Sequence, residues 1–89
     1  MATETYKLVD PMKVANLNDN EYNELYKGVS LIKEGIKEEN FPTDLYVSTF
    51  TTMRKLRKTV NSYHDMQIVA LQLIGQKLLI DRLRVSNSA

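Results

Sequence analysis

Four of the five residues in Arg54–Lys55–Leu56–Arg57–Lys58 are cationic, the densest run of one charge in the 89-residue chain. Placed on a helix, Arg54, Lys55 and Lys58 fall on one side beside Thr51 and Ser62, opposite an apolar stripe. Cations interleaved with hydroxyl groups are the residue types that contact backbone phosphates of nucleic acid, and they also suit an acidic protein surface. Contacts with roughly three to five phosphates would give weak, salt-sensitive binding with little sequence preference. The competing expectation is an ordinary solvated face, or pairing with acids elsewhere in the chain, where surface pairs add only about 0–1 kcal/mol. Arg57 projects nearer the apolar side and is expected to meet an acid of the first helix.

Other chemistry is sparse. His64 is the one histidine, and Asp65 beside it points about 100° away on a helix, too far round for a shared acid–base pair. Cysteine is absent, which excludes disulfides, thiolate metal sites and thiol catalysis. His and Cys do not occur at metal-ligand spacing. The glycines Gly28, Gly35 and Gly75 all fall within helical patterns, so no phosphate-cradling loop is expected. The expectation is a non-enzymatic protein without a cofactor.

Net charge is +1, but residues 1–44 carry five Lys against nine Asp or Glu (−4), and residues 45–89 carry seven Lys or Arg against two Asp (+5). That asymmetry fits complementary faces within one fold, head-to-tail association, or a basic surface for nucleic acid. The longest uncharged run in the apolar C-terminal region, Met66–Gln76, has 11 residues, against the roughly 20 that a membrane span needs. The opening residues lack the apolar core of a signal peptide. A cytoplasmic location is therefore expected, or an intravirion one if the protein is viral.

Leu, Ile, Val and Phe together number 25 of the 89 residues, enough for one small core. Asn18 with Glu21 reads as a capping box, followed by an apolar stripe at Tyr22, Leu25, Tyr26, Val29, Ile32 and Ile36. Leu45, Tyr46, Phe50, Met53, Leu56, Val60 and Tyr63 share one side of a second helix, and Ser62 with Asp65 marks the start of a third. The prediction is an all-α three-helix bundle, with helices at about 18–39, 43–61 and 63–85 in a single domain of residues 17–86. An extended arm over 1–16, interrupted by Pro11, precedes it, and a frayed end over 87–89 follows. The alternative is a helical hairpin with one long C-terminal helix from 43 to 85, about 64 Å long, which only an obligate oligomer could cover.

The third segment is apolar all round its axis. Two neighbours cannot cover every side of it, so Ile68, Val69, Leu79 and Leu83 are expected to form an interface with a second copy, most simply a two-fold dimer. The competing expectation is that the arm from Tyr6 to Val14 folds over that face. The leading functional expectation is a small helical interaction protein that self-associates and binds another macromolecule. The alternatives are a nucleic-acid-binding regulator using the basic face, and a subunit of a larger assembly, for which the small size would suit a phage accessory protein.

Overall fold

Two antiparallel helices set the frame, because the chain places a glycine on one against a threonine on the other; the frame is seen in a computed structural model that describes the backbone of residues 8–87 and the side chains of residues 8–82. The helices are α1 (Pro11–Ala15), α2 (Asp19–Lys33), α3 (Thr43–Leu56), α4 (Tyr63–Gly75) and α5 (Leu78–Asn87), with a 3-10 turn at Glu38–Asn40. The described residues contain no strand. The fold is all-α, as predicted, with α2, α3 and α4 as its three principal helices.

The capping signals act where the sequence placed them. Asn18 accepts the Glu21 N–H at 2.8 Å, and the Glu21 carboxylate accepts the Asn18 N–H at 3.1 Å, which completes the box at the start of α2. Ser62 accepts the Asp65 N–H at 3.2 Å. The Asp65 carboxylate, however, takes the N–H of Asn61 at 2.9 Å, one residue earlier than a capping box requires.

Four boundaries differ from expectation, each for a local reason. The arm is not wholly extended: Asp10 caps Met12 N–H at 2.9 Å and Pro11 opens α1, because proline's missing N–H costs nothing in a first helical turn. Residues 1–7 lie outside the described part of the chain. The first predicted helix stops at Lys33 instead of about 39, because Gly35 at φ 86° ends it in a left-handed turn. The N–H groups of Gly35 and Ile36 there close on the carbonyls of Ile32 and Leu31. The second helix ends at Leu56 instead of about 61, where Arg57 turns extended at φ −150° and lets Val60 drop into the core. The third predicted helix is two helices, divided at Gln76–Lys77 with Lys77 at φ 60°. These breaks also exclude the single long helix from 43 to 85.

The core runs through all five elements. Leu25, Met53, Met66, Ala70 and Leu73 are fully buried, joined by Val9, Val14, Val29, Val60 and Val69. Along α4 the buried side chains Tyr63, Met66, Val69, Ala70 and Leu73 follow ordinary helical spacing. Leu71 stays 65 % exposed, so α4 is covered on one side and not all round. Burial of each large aliphatic side chain contributes about 1.5–3 kcal/mol.

At Gly28, α2 packs closely on α3. A Cβ there would stand 2.1 Å from Thr49 Oγ1 and 2.6 Å from its Cγ2. Thr49 is fully buried and its hydroxyl faces the Glu24 carbonyl at 3.4 Å. By contrast, Gly75 has open space around it and permits no close crossing.

Arg82 fastens the ends. Its Nη1 donates to the carbonyls of Val14 and Leu17, both at 3.0 Å, and its Nη2 reaches Asp19 at 3.1 Å. The guanidinium lies 4.8 Å from the ring centre of Tyr22, whose hydroxyl donates to the Leu79 carbonyl. Nearby, the Gln76 amide clasps Val9, donating to its carbonyl and accepting its N–H, both at 3.0 Å.

Three measurements test this account. Gly28→Ala should lower stability by about 1–3 kcal/mol in urea denaturation, because overpacking against Thr49 outweighs alanine's helix preference of about 1 kcal/mol. Arg82→Met should cost about 2–3 kcal/mol by the same assay, and Arg82→Lys a smaller loss, since an ammonium cannot reach the same set of acceptors. The phenols of Tyr22, Tyr46 and Tyr63 are all raised above their usual value of 10.0, foremost by burial. The fold favours the neutral phenol, so their contribution is intact below pH 10 and is lost as pH rises past the folded-state values. The urea midpoint should therefore hold from about pH 8 to near pH 10 as far as these phenols go, and be lower at about pH 11.

Candidate functional site

The basic run does not form one helical face. Arg54 and Lys55 end α3, whereas Arg57 and Lys58 lie in the loop beyond it. Each cation consequently meets a different environment.

Lys55 forms an ion pair with Glu21. Glu21 thus serves two partners, one oxygen on the Asn18 cap and the other on Lys55. Arg54 lies 5.9 Å from the ring centre of Phe50 and donates to the Val60 carbonyl at 3.3 Å, which supports the loop. Ser62 is occupied as the α4 cap. Thr51 is exposed and borders a shallow apolar notch with Tyr46, Val47 and Phe50. Of the five residues read as one binding face, only Lys58 faces the cleft that the loop creates.

That cleft lies between the arm and the α3–α4 loop, with a volume of about 400 Å³. Lys13 and Asp10 line it from the arm, and Arg57, Lys58 and Thr59 from the loop, over a floor that includes Leu56. Lys13, Arg57 and Lys58 form no ion pair among the described residues. Asp10 is the one carboxylate in the lining, and its Oδ1 accepts the Met12 N–H. Three cations against one engaged acid give the cleft a positive balance suited to an anion. A hydroxyl at Thr59 adds a donor that rotates to suit an oxygen acceptor.

The sequence reading missed Lys13, because it treated Pro11 as an interruption. The signal was present in Asp10–Pro11, an N-cap followed by proline at the first helical position. It also joined Lys58 to the wrong face by extending α3 through Arg57.

The expected self-association face is also rearranged. Val69 and Leu79 are buried at 1 % and 6 % exposure by the chain's own helices. Ile68 is half-buried, and Leu83 lies outside the residues whose side chains are described. The arm bonds to neighbouring residues, through the Val9–Gln76 clasp and the Arg82 bonds.

Among the described residues no group of three or more His, Cys, Asp or Glu side chains is placed to hold a metal ion. Among the same residues no helix is long and apolar enough to cross a membrane. No protein-family model, curated protein or solved structure matches the chain significantly.

Proposed function

We propose that the protein is a non-enzymatic binding protein that engages the phosphate backbone of nucleic acid through Lys13, Arg57 and Lys58. The observation that carries this reading is their convergence on one open cleft with no ion pair among the described residues. Phosphate contacts of this kind position a protein without reading sequence, so binding is electrostatic and nonspecific. The contact is the protein's role as a small accessory or regulatory factor; no chemical step is assigned to it. Arg54 and Lys55 play a supporting part, holding the loop and α2 in place. A reading based on self-association through residues 66–83 draws no support from Val69 and Leu79, which the chain itself covers.

Titration against duplex DNA at several salt concentrations tests the proposal. Three phosphate contacts predict a slope of about −2.7 in log K against log salt, or roughly 40-fold weaker binding at 200 mM than at 50 mM. Lys13→Glu combined with Lys58→Glu should remove most of the affinity at about 50 mM salt. Lys37→Glu, in the connection between α2 and the 3-10 turn and outside the cleft lining, should leave it nearly unchanged. Absence of binding at low salt, or equal loss from Lys37→Glu, rejects the cleft as the site.

A further inference from the structure

A second surface lies away from the cleft. Two of the large apolar side chains left exposed, Tyr26 at 40 % and Ile80 at 51 %, flank one open groove between α2 and the α4–α5 junction. Val29, Leu73, Ile74 and Leu79 contribute apolar lining, and Lys33 and Lys77 stand on its margin. Neither lysine forms an ion pair among the described residues.

Lys77 is held in an unusual way. It occupies the left-handed position just past the end of α4, at φ 60°, where glycine is the favoured residue. The backbone therefore accepts strain at this position while a cation is kept beside the apolar groove.

We infer that this groove docks an acidic amphipathic helix of a partner protein, with one apolar side chain seated between Tyr26 and Ile80 and carboxylates one turn away facing Lys33 and Lys77. Charge complementarity argues for the acid: an apolar seat with two unpaired cations beside it selects an apolar anchor flanked by negative charge. Size argues for a side chain: the groove encloses about 110 Å³, well under the roughly 300 Å³ of pockets that enclose small molecules. Symmetry argues against a second copy, because a two-fold contact would bring the Lys33 and Lys77 pairs of both chains together.

The experiment screens the full chain against a displayed library of short helical peptides, with apolar residues fixed on one face and all other positions open. Enrichment of sequences with Asp or Glu one turn from a large apolar residue is the expected result. Enrichment of basic or neutral sequences, or of none, overturns the inference. The best peptide is then titrated by fluorescence anisotropy against two variants. Ile80→Asp should weaken binding about tenfold through the seat. Lys77→Gly should weaken it about fivefold through the lost charge, yet keep or raise the melting temperature, because glycine suits the left-handed backbone. Unchanged affinity in both variants overturns the groove as the docking site. Displacement of the peptide by duplex DNA overturns the assignment to a protein partner. So does a dimer in light scattering that Ile80→Asp abolishes.

Discussion

The Arg82 guanidinium is the tie that holds the arm and α5 to the α2–α3 frame. It collects carbonyls from the end of α1 and from the linker at Leu17, reaches Asp19 at the start of α2, and covers the ring of Tyr22. The carbonyls at a helix end have no partner within the helix, and a cation there also meets the negative end of the helix dipole. A helix of five residues is far too short to persist alone. α1 exists because Asp10 caps one end and Arg82 satisfies the other. The basic cleft depends on this in turn, since Lys13 stands on α1.

The same tie accounts for part of the charge asymmetry. The acidic first half and basic second half meet within the molecule at Glu21–Lys55 and Asp19–Arg82. These pairs join α2 to its neighbour α3 and to α5, which is distant in sequence. What remains unpaired among the cations is therefore more informative than the total. Among the described residues, Lys13, Arg57 and Lys58 without ion pairs gather at the cleft, and Lys33 and Lys77 at the groove.

Much of the fold was legible because it rests on local rules. Asn18–Glu21 and Ser62–Asp65 are short-range hydrogen-bond patterns, and the stripe at Tyr22, Leu25, Val29 and Ile32 follows helix geometry alone. The breaks were less legible because tertiary contacts decide them. Nothing in Arg57–Lys58–Thr59 disfavours helix, yet burial of Val60 and the Arg54 bond to its carbonyl draw the chain out of α3. Lys77 gives no glycine signal at a position that turns left-handed. The site was harder still. A wheel drawn through Lys58 presumes that the helix continues, so the faces it assigns beyond Leu56 do not exist in the fold. The burial of Val69 and Leu79 likewise depends on tertiary packing, which no helical period encodes.

The clasp between the arm and the last two helices has a consequence for the order in which structure forms. α2 and α3 are neighbours along the chain and close through a short connection, so their contacts come early and with little loop entropy. Val9 meets Gln76 and Val14 meets Arg82 across separations of 67 and 68 residues. On a growing chain the arm would emerge before the helices it docks on and find its place only once the residue that fastens it had been made. Arm and α5 are thus tied together from opposite ends of the described chain, so loosening either one is expected to release the other before the α2–α3 pair opens.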